Sequence, residues 1–163
     1  MAPAEETGGA ALDQAVRAIG AAQAIGAAQA IEAAQGPIDL WVNDAGVGIY
    51  GFFMDIPEDE FRTLPDINYL GTVNGTQVAL RWILPRKPGA IVPVASTISD
   101  CAVPLQRPGS GSEHAIRGFT AAARTELVHQ GSPVRLTMVR PPWSARRSTP
   151  TPCRPCRGPS VRR

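Results

Sequence analysis

Apolar positions are concentrated in the middle of this chain, in runs that alternate between two periods. Ile38-Asp39-Leu40-Trp41-Val42 follows Gly36-Pro37 and ends at Ala45-Gly46. A short apolar run between turn residues predicts a strand. Ala90-Ile91-Val92-Pro93-Val94-Ala95 predicts a second, buried strand, and Val134-Arg135-Leu136-Thr137-Met138-Val139 a third. Between them the period changes. Asp55-Ile56-Pro57-Glu58-Asp59-Glu60 is a helix start, with Asp55 as cap, an early Pro and acids at the positive end of the dipole. This helix is expected to run to about Leu84, before Pro85. Pro65 lies inside it, where it removes a hydrogen bond and sets its ring against the carbonyl of Phe61, at a cost of about 3 kcal/mol. From Ser110 to His129, Ile116, Phe119, Ala123 and Leu127 form one helix face, closed by Gly131. Strand, helix, strand, helix, strand predicts an α/β fold with a parallel sheet and right-handed crossovers.

The flanks read differently. Residues 1–35 are an Ala-rich helical segment in which Ala-Ile-Gly-Ala-Ala-Gln at 18–23 recurs at 24–29 and, with Glu for Gly, at 30–35. At about 100° per residue, a six-residue repeat turns successive Ile positions by about 240° net. Ile19, Ile25 and Ile31 therefore point to different sides and make no single stripe. Residues 143–163 hold six Arg, many Pro and almost no apolar residue. Such a segment cannot offset its ordering entropy by burial, so disorder is expected there. Three zones follow: 1–35, 36–142 and 143–163.

Composition changes this picture in a few places. The 163 residues suffice for one core, and 44% are hydrophobic. The net charge of +2 conceals an asymmetry, because the six tail Arg face no acid and leave the rest at −4. The tail lacks interleaved aromatics and helical period, so no specific nucleic-acid partner is expected. No run of about 20 apolar residues exists to span a membrane. The N-terminus has neither the basic nor the apolar region of a signal peptide, and a cytoplasmic setting with reduced thiols is the expectation. Cys101 reads as a lone small core residue. Cys153-Arg154-Pro155-Cys156 has CxxC spacing without a second pair or a nearby His, so no metal site is expected.

Several landmarks of the central zone resemble the short-chain dehydrogenase/reductase family, in order and spacing. Gly36 to Gly46, ending Asn43-Asp44-Ala45-Gly46, is similar to the family's strand ending in Asn-Asn-Ala-Gly beside the cofactor, with Asp44 in place of the second Asn. Ile67-Asn68-Tyr69-Leu70-Gly71-Thr72 resembles the segment carrying the catalytic Asn. Ile91 to Ser96 matches the strand that delivers the catalytic Ser. His114 to Leu127 is similar to the helix after the active-site Tyr, and Val134 to Pro142 to the strand leading to the Pro-Gly turn near the nicotinamide. The resemblance implies a partial Rossmann-like three-layer sandwich with a short parallel sheet, its first βαβ portion missing. It also implies redox chemistry on an alcohol or carbonyl substrate with NAD or NADP.

Carried over one residue at a time, the resemblance implies that Ser96 would hydrogen-bond the substrate oxygen and Asn68 would hold a water of the proton relay. Asn43, Asp44, Ala45, Gly46, Pro141 and Pro142 would border the cofactor. The family's acid/base Tyr, 13 residues after the Ser, corresponds to Gly109, and the Lys four further on corresponds to Glu113. A Gly has no proton to give, and a carboxylate would raise a neighbouring phenol's pKa and repel phosphates. No Gly-rich turn follows a first strand, so cofactor binding is doubtful. The expectation is a family homologue with impaired catalysis, or alternatively a non-catalytic binding or regulatory module on the same scaffold.

Three further readings concern single residues. Ser110-Gly111-Ser112-Glu113 has the S-x-x-E spacing of a capping box. A Ser96–His114–Asp100 triad has no positional support, and both His are expected on helix surfaces. Without the first strands, one edge of the Ile38–Val42 strand would be bare, which is a pairing hazard.

Overall fold

The structure, a computed structural model, describes residues 22–52, 54–86 and 88–141. Ile19, Pro142, Cys153, Cys156 and the Arg-rich segment lie outside the described residues.

Residues 22–35 are helical (α1). Strand β1, Leu40–Asn43, is followed by α2, Glu58–Pro65, a π-helical turn, Asp66–Leu70, and α3, Gly71–Ile83. Then come β2, Ala90–Pro93, a 3-10 turn, Thr97–Ser99, α4, Arg107–His129, and β3, Arg135–Leu136. The three strands form one parallel sheet in the order β1-β2-β3. A single bridge, Val94 to Val139, extends the β2–β3 pairing. The expected α/β organisation is present.

Helices cover one sheet face. Residues 72, 75, 76, 79 and 83 of α3 are buried, a stripe at helical spacing. Val78, Ala79 and Ile83 pack with Ile91 and Leu136 of the sheet, Leu127 of α4 and Ala28 of α1. The hexapeptide segment joins this core through Ala28, which is fully buried, while Ile31 is 44% exposed. The opposite face, carrying Leu40 and Val42, has no helix over it among the described residues, and these side chains are 58% and 50% exposed.

Two elements differ from expectation. The helix expected from Asp55 to Leu84 is broken in register. Pro57, not Asp55, is the α2 cap and makes no side-chain bond, and Asp55 sits in a turn with its N–H on the Phe52 carbonyl. Pro65 closes α2. It has no N–H to offer, and the next turn widens until the Gly71 N–H reaches the Asp66 carbonyl five residues back. The turn thus absorbs the break, and α3 resumes regular winding.

The second difference is the start of α4. It begins at Arg107, with Gln106 as cap and Pro in the first turn, so Ser110 to Glu113 lie inside the helix and form no capping box. At its other end Gly131 adopts φ +64°. Its N–H bonds Val128 O at 3.0 Å while Ser132 N–H bonds Leu127 O at 2.9 Å, the Schellman pair. Cys101, read as a lone core thiol, is half-buried on the loop after the 3-10 turn and is disulfide-bonded.

Candidate functional site

Parallel pairing in register, with Asn43 opposite Pro93, brings the carboxyl ends of β1 and β2 to the same rim. Open α/β sheets bind ligands beyond such ends. Here a cavity of about 180 Å³ opens, bordered by Asp44, Ala45 and Gly46 after β1 and by Val94 and Ala95 after β2. Asn68 of the π-turn, and Glu113 and Ile116 of α4, close it. The structure therefore brings together Asp44, Ala45, Gly46, Asn68 and Glu113 of the residues named above.

Asn68 is 5% exposed and clamps the loop after β1. Its Oδ1 accepts from Val47 N–H and its Nδ2 donates to Val47 O, each at 2.9 Å. Its own carbonyl accepts from Thr72 Oγ1 at 2.8 Å. The wide π-turn is what places this side chain against the loop. Asn43 does different work. Its Oδ1 accepts from Trp41 Nε1 at 2.8 Å, and its Nδ2 donates to Thr76 Oγ1 at 3.0 Å. It seats β1 on α3 and is not among the residues bordering the 180 Å³ cavity. Trp41, Thr76 and Gly75 form this joint. The sequence singled out none of them, and only a polar residue ending an apolar strand hinted at it.

Ser96 caps the 3-10 turn. Its carbonyl accepts from Ser99 Oγ at 2.6 Å, and its Oγ accepts from Ile98 N–H at a long 3.4 Å. Its own N–H donates to Glu113 Oε2 at 2.8 Å. Glu113 thus ties the second turn of α4 to the loop after β2. Burial pushes its carboxyl above the ordinary value, against the opposing pull of the Ser96 N–H and of His114. Gly109 is buried on the first turns of α4, and a Cβ built there meets only Ile98 Cδ1, at 3.8 Å. The backbone does not require a glycine at this position.

The remaining residues stand apart. Pro141 is exposed at the end of the described residues. His114 bonds its own helix through Ser110 O at 2.8 Å, and Asp100 is held by Arg117 at 2.7 Å and by Arg140. No Ser96–His114–Asp100 triad forms. Among the described residues no three His, Cys, Asp or Glu side chains gather as a metal site, and no helix is long and apolar enough to cross a membrane.

Comparison with known proteins agrees with this geometry. The family profile of the short chain dehydrogenases matches residues 5–148. Human "Dehydrogenase/reductase SDR family member 7" is 42% identical over 92 residues, which span 56% of this chain and 27% of that protein. "Uncharacterized oxidoreductase YxnA" of Bacillus subtilis is 33% identical over 107 residues, 65% of this chain and 30% of that protein. A crystal structure of a short chain dehydrogenase/reductase from Burkholderia phymatum in complex with NAD superposes with a TM-score of 0.72 at 26% identity. That match covers 75% of this chain and 44% of the other. The aldohexose dehydrogenase of Thermoplasma acidophilum shares the fold with a TM-score of 0.68 at 22% identity, over 75% of this chain and 47% of the other. The chain spans about 30% of the length of these curated relatives. With the profile and the fold in agreement, the chain belongs to the short-chain dehydrogenase/reductase family and carries part of its Rossmann-like fold.

Proposed function

We propose that this chain is an oxidoreductase homologue whose catalytic step is impaired, because the two positions that would move the proton hold Gly109 and Glu113. The observation that carries this reading is the Glu113 contact. Its carboxylate accepts the Ser96 N–H at 2.8 Å, at the rim where the resemblance calls for a lysine. Proton transfer by a positioned group is worth about 10²- to 10⁴-fold in rate, and Gly109 supplies no such group. A carboxylate at Glu113, where the resemblance calls for a lysine, also opposes the NAD or NADP that the family uses. Two carboxylates, Asp44 and Glu113, border a cavity of about 180 Å³. A second negative charge there opposes phosphate. Ser96, whose Oγ accepts from Ile98 N–H, is not among the residues bordering this cavity.

Titration of the full chain with NADH and NADPH, followed by dinucleotide fluorescence, tests the reading together with turnover on a panel of alcohols and ketones. Neither binding in the micromolar range nor turnover above buffer is expected. Micromolar binding with measurable turnover overturns it.

A further inference from the structure

Helix α1 is built from a repeat, and a repeat does not by itself fix where the chain sits. Residues 18–23 and 24–29 are identical, and 30–35 differ from them only in Glu32. Ala24, Ile25 and Ala28 pack against the core, and Ala28 is fully buried. Were the chain to advance by one repeat, Ala18, Ile19 and Ala22 would take these three sites with the same side chains. Sites 22 and 23 are exposed and would receive Val16 and Arg17. The connection to β1 would grow from residues 36–39 to residues 30–39. The cost of closing a loop rises only slowly with its length. The opposite shift is closed, because it would draw Leu40 and Trp41 out of β1.

Two residues set the registers apart. Glu32 is the one position at which the third copy departs from the others. Its Oε1 accepts from the Ile38 N–H at 3.3 Å and from Arg86 Nη1, and its side chain is only 12% exposed. Arg86 in turn lies over Trp82, 5.4 Å from the ring centroid, and Trp82 packs against the same core as Ala24 and Ile25. In the advanced register the site of Glu32 would hold Gly26, which offers neither bond and is a poor helix former. The second residue is Gly36. It follows α1 at φ +90° and donates its N–H to the Glu32 carbonyl at 3.1 Å. Ala30 would stand there after the shift, with a Cβ strained at that φ.

We propose that Glu32 and Gly36 are a register pin, holding α1 in one of two dockings that present the same side chains to the core. Releasing the pin lets the chain advance by one hexapeptide and expels residues 30–35 into the connection before β1. The device lies outside the Glu113 cavity and does not depend on any turnover there.

A slipped helix and an undocked helix both free Glu32, and one substitution separates them. The full chain is digested under native conditions with a protease that cuts after Glu, and cleavage between Glu32 and Ala33 is followed by mass spectrometry. That bond lies within docked helix in the present register, so its cleavage is slow. Arg86→Ala should speed it at least about fivefold, because cleavage tracks the population of the opened form. Ala22→Arg is exposed in the present register, but after the slip it would occupy the fully buried site of Ala28. Added to Arg86→Ala, it should bring cleavage back to within about twofold of the parent, the scatter of an ordinary surface substitution. No acceleration in Arg86→Ala overturns the proposal. So does an acceleration that Ala22→Arg leaves unaltered, because the helix would then be undocking without a change of register.

Discussion

Glu113 is the residue at which charge, burial and position meet. Folding raises the pKa of its carboxyl, starting from an ordinary value of 4.5. A carboxyl raised in this way contributes stability that is present at pH below about 4.5. That contribution is lost as pH rises through the higher folded value. Glu113→Gln keeps an oxygen acceptor for the Ser96 N–H and removes the charge. Thermal melts between pH 4 and pH 8 should therefore show the variant losing less stability than the parent as pH rises, and parallel profiles would refute the burial argument. Gly75 makes a steric demand instead. A Cβ there would lie 2.1 Å from Asn43 Oδ1, whose amide is held by Trp41 and Thr76. Gly75→Ala gains about 1 kcal/mol of helix propensity. It is nonetheless expected to destabilise by about 1–3 kcal/mol in urea unfolding, because the joint between α3 and β1 must open.

At the scale of elements, the ends of helices are governed by local chemistry and their interiors by what they pack against. Gly131 ends α4 in a left-handed conformation that completes two hydrogen bonds to the last turn. Gly131→Ala should cost about 1 kcal/mol, measured by urea denaturation, since a Cβ is strained at that φ. This helix end was legible in the sequence because a glycine after the last periodic residue has one usual meaning. The start of α4 was less so. Ser110 and Glu113 have the spacing of a capping box, yet Pro108 near the true start is the signal that the structure follows. The π-turn had a visible cause in Pro65 but no visible consequence. Neither the widened turn nor the reach of Asn68 to Val47, 21 residues away, leaves a local pattern. That bond closes only once α2 and α3 lie against the loop after β1.

At the largest scale, the described residues leave one face of the sheet uncovered. Leu40 and Val42 face outward, and the loop after β1 exposes Tyr50 at 64%, Phe52 at 71% and Met54 at 86%. Apolar surface of this kind marks contact sites or association hazards. Short edge strands with charges at their ends are protected against self-pairing, and Asp39 and Asp44 stand at the ends of β1, which pairs only with β2 among the described residues. Asp39→Asn with Asp44→Asn should therefore raise self-association, seen by sedimentation as a larger dimer or oligomer fraction at equal concentration. High salt should have a similar, smaller effect on the parent chain through screening. An unchanged monomer fraction in both cases would show that the two acids do not guard the edge.

The sequence by itself determined the alternation of strand and helix, the parallel sheet and the family. These depend on apolar period, turn residues and spacing, which are local properties of a chain. Tertiary structure decided where those residues went. Glu113 became the partner of Ser96 N–H rather than a helix cap, because α4 starts earlier and turns that side chain toward the end of β2. Asn43 became a joint between β1 and α3, while Asp44 reached the cavity rim. Leu40 and Val42, apolar positions of the first strand, are exposed among the described residues. Burial depends on which neighbours arrive, and no pattern within the strand records that.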